Sequence, residues 1–474
     1  MGHLLNLANK IQNYRKNQND QNGGPKVTPP PSPQALKPVT GRLQNIYEFK
    51  AKLHQQVINK MEVELLVKFE SEVARAEVGR LVTALVNEDS FPLSLAEKQQ
   101  IVQEVVNETF GLGPLEPLFE DPTIDDILVN NYDTVYVERN GKLEPIDVRF
   151  KDNTHLRHII NRIVARVGRR IDDASPMVDA RLADGSRVNA IISPLSIDGP
   201  VLSIRRFKKI PLSADDLVRI ETISSEMLFL LKMAVRARQN IIISGGTGAG
   251  KTTLLNALSA SIPQNERIVT IEDAAELQLQ QPHVVRLETR PANMEGKGRI
   301  TQRELFINSL RMRPDRIVVG EVRGSEALEM LQAMNTGHDG SLTSIHANTP
   351  RDAFTRIETM VLMSNSNMEQ GAIRRNIASA INVVVQIRRY PDGVRRIESI
   401  TEVTGMEQDI ITVQEIACYV QKGTAQDGKT VGFFKIHPVR PKFLDRAKEL
   451  GISATQIAAE LKKETEGGQE QTKP

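Results

Sequence analysis

The stretch SGGTGAGKTT, residues 244–253, constrains the fold of this 474-residue chain more than any other feature. It contains the full G-x-x-x-x-G-K-[ST] pattern, follows the apolar run NIIIS (240–244) and opens the helical pattern KTTLLNALSASI (251–262). A phosphate-binding loop needs this order of strand, glycine-rich loop and helix, because backbone N–H groups must curl around a phosphate at a helix N-terminus. The sequence therefore predicts that the chain binds a nucleoside triphosphate.

Two residues of this loop have specific expected tasks. Lys251 should reach the β- and γ-phosphates, and the Thr252 hydroxyl should bind Mg²⁺. The expected cofactors are therefore ATP and Mg²⁺. The loop residues expected to contact the nucleotide are Gly245, Gly246, Thr247, Gly248, Ala249, Gly250, Lys251, Thr252 and Thr253.

Short apolar runs separated by helical patterns follow Pro211. They occupy residues 240–244, 267–272, 316–321, 340–347 and 382–387. Runs of this kind form strands of a parallel sheet that helices bury on both faces. The sequence therefore predicts an α/β fold with a parallel-sheet core for residues 213–455.

The rest of the chain differs in composition from this region. Residues 1–42 are rich in Asn, Gln, Gly and Pro, which predicts a disordered linker, and residues 456–474 form a polar tail. Residues 43–110 have apolar positions at helical spacing, which predicts a helical bundle, and Ser94 with Glu97 forms a capping-box pattern. Residues 111–212 alternate around an Asn-Gly pair at 140–141, which predicts a hairpin within an α+β domain.

Composition excludes several classes of protein. With 61 Lys+Arg against 59 Asp+Glu the net charge is +2, which argues against a basic protein that coats DNA. Aromatic residues make up 4% and Trp is absent, so platforms for stacking single-stranded bases are scarce and no nucleic-acid partner is expected. The single cysteine, Cys418, excludes an internal disulfide framework and fits a reducing compartment. No apolar run approaches the roughly 18 residues that span a bilayer, so we expect a soluble, cytoplasmic protein.

Acidic residues end two of the predicted strands. Glu272, with Asp273 and Glu276 close behind, ends the run at 267–272, and Glu321 ends the run at 316–321. The carboxyl edge of an open α/β sheet is where ligands bind. A carboxylate there can orient the attacking water or hold the water shell of Mg²⁺. The residues alone do not decide which of these two strand ends orients the attacking water and which holds the water shell of Mg²⁺.

Histidines and arginines complete the set of candidate site residues. His338 and His346 flank the predicted strand at 340–347; their spacing of eight residues is not a helical metal-ligand spacing, so zinc is not expected there. A histidine at a strand end beside the phosphates can sense or stabilise the γ-phosphate, which is the role we expect. Arg205 and Arg206, at the end of the α+β region, are candidates for a nucleotide-facing clamp.

Four sequence blocks, in a fixed order, resemble the secretion superfamily of type II/type IV traffic ATPases. They are GGTGAGKTT, TIEDAAEL, LRMRPDRIVVGEVRGSEA and TGHDGSLTSIHAN. The sequence between them, and the upstream stretch RLADGSRVNAIISPLSIDGPVLSIRRF, is most similar to the CpaF/TadA branch, the ATPases of tight-adherence (Flp) pilus assembly. The resemblance extends over residues 45–450.

This resemblance implies a RecA-like ATPase domain preceded by a PAS-like domain and a helical bundle, assembled as a homo-hexamer with ATP sites between the two domains and near subunit boundaries. It implies that Glu272 is the catalytic base and that Glu321 is the Walker B acid, which holds Mg²⁺ through water. His338 and His346 would belong to a His box that senses the γ-phosphate. The arginines that match the family's clamp positions are Arg205, Arg286 and Arg290.

The function that the resemblance implies is a motor that converts ATP hydrolysis into rigid-body motion of one domain against the other. It would act at the inner membrane on a platform protein that adds or removes pilin subunits. Three alternatives stay open: a type IV secretion ATPase that moves effectors or DNA, a nucleic-acid translocase, and a nucleotide-gated scaffold without turnover. Intact Glu272 and Glu321 argue against the scaffold. Gly320 stands where ordinary NTPases have Asp before the Walker B acid, a departure that the family shares.

Overall fold

The computed structural model describes residues 46, 49–50, 52–54, 56–57, 72–89, 91–139, 141–207, 212–292, 297–364, 367–453 and 455. By its internal contacts the chain divides into two compact units, residues 1–109 and 110–474. The linker predicted at 1–42 and the tail predicted at 456–474 lie outside the described residues. None of the helices formed by the described residues has the length and apolar character that crossing a bilayer requires.

Most of the described residues of the first unit are helical. It contains α1 (Glu72–Glu88) and most of α2 (Leu95–Phe110). The predicted capping box before α2 is confirmed: the Ser94 N–H donates to Glu97 Oε2 at 2.8 Å, and the Glu97 N–H donates to Ser94 Oγ at 3.3 Å. These two bonds satisfy donors that a helix N-terminus otherwise leaves unpaired.

A six-stranded antiparallel sheet forms the first part of the second unit. Its spatial order is β3-β2-β1-β6-β5-β4. The elements are α3 (Glu116–Glu120), β1 (Ile124–Asn131), β2 (Thr134–Arg139), β3 (Lys142–Ile146), α4 (Asn153–Arg166), β4 (Met177–Arg181), β5 (Arg187–Ile191) and β6 (Val201–Arg205). The predicted hairpin is confirmed, since Arg139 pairs with Lys142 across a two-residue loop in which Gly141 has φ +77°. Ile159, Ile160 and Ile163 of α4 are fully buried in the core of this sheet.

A nine-stranded sheet forms the rest of the second unit, and six of its strands have the spatial order β12-β7-β11-β10-β8-β9. Strands β7 to β12 are parallel, which confirms the predicted parallel-sheet core. These strands are β7 (Ile241–Gly245), β8 (Ile268–Glu272), β9 (Val284–Glu288), β10 (Arg316–Val319), β11 (Leu342–Ile345) and β12 (Val383–Arg389). Strand β9 at the edge was not among the predicted runs.

Helices cover both faces of this sheet, because alternate residues of each central strand point to opposite sides. Ile241 and Ile243 of β7 belong to one hydrophobic core and Ile242 to the other. The helices are α5 (Ala214–Arg219), α6 (Ser225–Arg236), α7 (Lys251–Ser259), α8 (Gln302–Ser309), α9 (Glu326–Asn335), α10 (Pro350–Met363), α11 (Gln370–Ala380) and α12 (Phe443–Glu449).

Three long antiparallel strands extend the sheet beyond β12. They are β13 (Arg395–Glu407), β14 (Ile410–Thr424) and β15 (Thr430–Ile436). None of the three strands was predicted from an apolar run. Much of β14 and β15 is exposed or half-buried, and in β13, which is largely buried, Glu, Ser and Thr interrupt the apolar residues. Strands buried on one face only have no continuous apolar run to detect.

Candidate functional site

A cleft of about 420 Å³ opens at the carboxyl ends of the parallel strands. It lies within the second unit and is lined by residues of both sheets. The predicted site residues among its lining are Arg205, Thr247, Gly248, Ala249, Gly250, Lys251, Thr252, Thr253, Glu272, Glu321 and His346. The structure thus brings the phosphate loop, both strand-end carboxylates and one of the two histidines to one place.

The phosphate loop connects β7 to α7 and depends on its glycines. Gly248 and Gly250 have φ of +67° and +97°, which is the left-handed region that favours glycine. At Gly245 a Cβ would lie 2.5 Å from the Ile387 carbonyl oxygen, so only glycine fits between β7 and β12. The shape of the loop therefore requires glycine at 245, where the backbone of β12 is close, and at 248 and 250, where φ is positive.

Lys251, the first residue of α7, folds back over this loop. Its Nζ donates to the carbonyl oxygens of Gly245 and Gly246, each at 3.1 Å. Burial lowers the pKa of Lys251, and the charge of Glu321 opposes this effect, while nearby arginines add to it. An anion bound at the loop would favour the charged ammonium, since it would compensate both for the burial and for the neighbouring cations.

Glu321 follows β10 and is half-buried beside the loop. Burial is the largest influence and opposes its charged form, while Arg323 favours that form through a hydrogen bond from Nη2 to Glu321 Oε2 at 2.8 Å and through its charge. Lys251 and His346 act in the same direction, so the pKa of Glu321 lies below its usual range. Glu321 is therefore an ionised carboxylate at neutral pH.

Glu272 ends β8 and is only 2% exposed. Its Oε2 accepts the backbone N–H groups of Glu276 and Leu277 at 2.7 and 2.8 Å, whereas Oε1 is buried without a hydrogen-bond partner among the described residues. Burial raises the pKa of Glu272, and these N–H groups and the charge of Arg286 only partly oppose it. One oxygen is thus held in place by two backbone N–H groups, and the raised pKa makes this carboxylate a better proton acceptor.

The two histidines lie at opposite ends of β11. His346 follows the strand and lines the cleft; burial and the charge of Lys251 lower its pKa, so its imidazole is neutral at pH 7. His338 precedes the strand and does not line the cleft. Four strand residues span about 13 Å, so the two side chains cannot reach one phosphate group together within one chain.

The predicted clamp arginines differ in whether they line the cleft. Arg205, at the end of β6, lines the cleft and is half-exposed. Arg286 on β9 does not line the cleft, although its charge lowers the pKa of Glu272. Arg290 does not line the cleft either, and its Nε donates to the carbonyl of Gly298 at 2.7 Å. Arg206 lines the cleft, but its guanidinium donates to the backbone carbonyls of 118, 119, 121 and 124, which gives it a structural task instead of a free clamp.

Two further arginines at the cleft were not predicted. Arg187 on β5 donates from Nη2 to the Ala274 carbonyl at 3.1 Å and forms an ion pair with Glu276. Arg395, the first residue of β13, donates from Nε to the Gly248 carbonyl at 2.9 Å. The position of Arg187 on the short hairpin strand 187–191 was a weak indication in the sequence that it belongs to the site. The sequence around Arg395 gave no such indication, because the position of Arg395 depends on pairing between distant strands.

Thr252 and Glu321 are the residues of the cleft that would hold Mg²⁺. A hydroxyl oxygen in the first turn of α7 and an ionised carboxylate after β10 both line the cleft. Mg²⁺ prefers oxygen ligands and keeps several waters when it binds beside phosphates. The donor set therefore fits this ion.

Comparison with known proteins identifies the family. The family described as "Type II/IV secretion system protein" matches residues 108–466. A candidate conjugal transfer protein of Mycobacterium tuberculosis is 38% identical over 299 residues, which cover 62% of this chain and 84% of that protein. The type IV secretion system protein VirB11 of Brucella suis biovar 1 is 31% identical over 324 residues, which cover 62% of this chain and 90% of VirB11.

Among solved structures, the VirB11 ATPase from the Brucella suis type IV secretion system, in complex with sulphate, is 30% identical to this chain. The match covers 62% of this chain and 97% of that structure, with a TM-score of 0.33. The family assignment rests on the sequence matches, which extend from residue 108 to residue 466. The chain belongs to the type II/IV secretion system protein family.

Proposed function

We propose that this protein hydrolyses ATP with Mg²⁺ and acts as a motor of a type II/IV secretion or pilus machine. The observation that carries the proposal is the convergence of Lys251, Thr252, Glu272, Glu321 and His346 on one cleft. Hydrolysis requires a phosphate cradle, a place for Mg²⁺ and an acceptor for the proton of the attacking water. These side chains offer at least one candidate for each of the three tasks.

Each residue has a distinct proposed role. Lys251 binds the β- and γ-phosphates, and Thr252 and Glu321 hold Mg²⁺, which neutralises phosphate charge when bound. Glu272 accepts the proton of the attacking water at Oε1, since its Oε2 is already engaged by two backbone N–H groups. His346, neutral at pH 7, contacts the γ-phosphate side of the site.

Contacts from the antiparallel sheet give the motor proposal its physical basis. Arg187 bonds the loop after Glu272. Arg395 bonds the phosphate loop and pairs with Glu138 of β2 at 3.6 Å. A change in the positions of Glu272 or the loop on hydrolysis would therefore act directly on β2 and β5. We propose that this movement, in a homo-hexamer, is the output of the motor.

Assembly of a tight-adherence (Flp-type) pilus is the specific function that we propose for this motor, with an inner-membrane platform protein as the direct partner and pilin subunits as indirect ones. The CpaF/TadA-like blocks around the phosphate loop and residues 181–207 support it. A second candidate is transport of effectors or DNA by a type IV secretion system. The names of the Mycobacterium tuberculosis and Brucella suis relatives support this second candidate.

ATP hydrolysis at increasing protein concentration tests the enzymatic part of the proposal. Turnover per subunit should rise with concentration and require Mg²⁺. Glu321→Gln should bind ATP yet lose at least about 100-fold in turnover, because it removes the charge that holds the metal. Glu407→Gln, an exposed glutamate at the end of β13, is the matched control and should keep wild-type turnover. ATP binding without turnover in the wild-type protein would instead favour the nucleotide-gated scaffold.

The two machines can be separated in cells. When Glu321→Gln replaces the wild-type residue in the source organism, surface pili should disappear while transfer of a mobilisable plasmid keeps its frequency. Loss of plasmid transfer with normal pili would assign the protein to a type IV secretion system. Glu407→Gln again serves as the control for expression level.

A further inference from the structure

One face of β14 presents a cysteine, a glutamate and, from the segment after β15, a histidine. Cys418 Sγ lies 3.5 Å from His437 Nε2, and the same nitrogen lies 3.0 Å from Glu415 Oε1. All three ligand atoms lie within 4.8 Å of one another. None of these residues lines the cleft, so the cluster is separate from the proposed ATP site.

A β-bulge in β14 places Glu415 and Cys418 on the same face. Residues three apart on a regular strand point to opposite faces. Here Ala417 pairs with Ile400 and Glu415 pairs with Thr401, so β14 contains one extra residue at this point. Ile416 and Ala417 are consequently both buried, at 1% and 0% exposure, while Glu415 and Cys418 point away from the core.

The bulge also positions the histidine. The backbone N–H of His437 donates to the carbonyl of Ile416, the extra residue, at 2.9 Å. This bond fixes the start of the segment that follows β15 directly beside Glu415 and Cys418. Burial and the hydrogen bond and charge of Glu415 raise the pKa of the Cys418 thiol, and the charge of Lys435, its register partner on β15, opposes this only in part. A metal ion bound here would therefore have to displace the thiol proton, since the thiolate is the form in which cysteine binds metals.

The spacing of the ligand atoms matches a tetrahedral zinc site. With Zn–S of about 2.3 Å and Zn–N of about 2.05 Å, tetrahedral geometry places sulfur and nitrogen about 3.6 Å apart, and nitrogen and a carboxylate oxygen about 3.4 Å apart. The observed 3.5 Å and 3.0 Å are within a few tenths of an ångström of these values. Thiolate, imidazole and carboxylate are also the ligand types that Zn²⁺ selects.

We propose that Glu415, Cys418 and His437 bind one Zn²⁺ per chain, with water in the fourth position. The ion would tie the middle of β14 to the segment that leads into α12. The site would therefore stabilise the antiparallel extension of the sheet. This proposal does not depend on the proposed ATPase function, and either can fail without the other.

Binding of Co²⁺ to the full-length protein, without nucleotide, tests the site. Cobalt is a spectroscopic substitute for zinc, and a cobalt–thiolate bond gives a charge-transfer absorption band. Because Cys418 is the only cysteine of the chain, this band reports on that residue alone. We expect one Co²⁺ per chain, a thiolate band, and loss of the band when Zn²⁺ is added in competition.

Three variants define the ligand set. Cys418→Ser should abolish the band, and His437→Gln and Glu415→Gln should each weaken Co²⁺ binding by about 10-fold or more. His158→Gln, an exposed histidine of α4, is the matched control and should bind like the wild type. Circular dichroism checks that each variant is folded. If either His437→Gln or Glu415→Gln misfolds, the other still tests the ligand set. Zn²⁺ should also raise the melting temperature of the wild type but not that of Cys418→Ser.

Three results would overturn the zinc site. The first is absence of a thiolate band in the wild-type protein. The second is unchanged Co²⁺ affinity in both His437→Gln and Glu415→Gln. The third is a stoichiometry of one metal per two chains, which would mean that cysteines of different chains share the ion.

Discussion

The side chain of Glu272 packs directly against Gly320, the residue before Glu321. A Cβ built at residue 320 would lie 3.0 Å from Glu272 Cγ, and the Gly320 N–H donates to the Ile271 carbonyl at 2.9 Å. The aspartate that ordinary NTPases have at this position would therefore crowd the Glu272 side chain and require it to shift. This contact favours glycine before Glu321.

Gly320→Ala tests this contact. The added methyl group should displace Glu272 by a few tenths of an ångström and lower ATP turnover by about 10-fold, because misplacement of a reacting group is costly. ATP affinity should stay within about twofold of the wild type, since no phosphate-loop residue moves. Gly423→Ala is the matched control, because a Cβ there meets no atom within 4 Å. Equal turnover in the two variants would show that the position of Glu272 does not limit the reaction.

The pH dependence of turnover should report on Glu272. As a base Glu272 must be ionised, and burial raises its pKa. Turnover should therefore fall with decreasing pH, with a midpoint above the usual pKa range of a glutamate. Arg286 holds this pKa down, so Arg286→Gln should move the acid limb of the profile to higher pH. The pKa of Glu321 lies below its usual range, so that residue stays ionised throughout.

Two controls accompany the pH experiment. Arg286→Lys keeps the positive charge and should leave the acid limb near its wild-type position. Because Arg286 is exposed, the shift in Arg286→Gln should also shrink at high salt. An acid limb that is identical in the wild type and Arg286→Gln at low salt would contradict the assignment of Glu272 as the base.

Arg395 should contribute to nucleotide affinity through the phosphate loop. Its Nε donates to the Gly248 carbonyl, and a hydrogen bond to a charged donor is worth about 1.5 kcal/mol or more. Arg395→Gln should therefore weaken ATP binding by about 10-fold in an equilibrium titration. Arg388→Gln is the control, since Arg388 is exposed and pairs with Glu398 instead of the loop. Equal affinities of the two variants would mean that the loop keeps its shape without this bond.

The buried ion pair between Arg316 and Glu266 should dominate the local stability of β10. The Arg316 side chain is fully buried, and its guanidinium also donates to the carbonyls of Val235 and Gly340. Glu266→Gln should lower the free energy of unfolding by about 3 kcal/mol, because it leaves a buried guanidinium without its counter-charge. Arg80→Ala removes an exposed ion pair with Glu77 and should cost less than about 1 kcal/mol. Urea unfolding of both variants measures the difference.

Local sequence order was sufficient to predict the phosphate loop and five of the six parallel strands; the edge strand β9 was not predicted. A strand, a glycine-rich loop and a helix are adjacent in the chain, so residues 240–262 contain all the information needed to predict their arrangement. The same holds for Glu272 and Glu321, because the end of a strand is visible in the sequence. The antiparallel extension (β13–β15) was not predictable in this way, since polar residues interrupt the apolar run that marks a central strand.

The sequence by itself determined the kind of chemistry that we propose, because the predicted phosphate loop and the carboxylates that follow strands are local patterns. Only the tertiary structure decided which charged residues join them. It places His346 in the cleft and His338 at the other end of the same strand, and it brings Arg187 and Arg395 in from distant strands. It also brings Cys418 to the same face as Glu415 through a single bulged residue. These outcomes depend on strand register and on pairing between remote segments, and a one-residue shift in register reverses which face a side chain occupies.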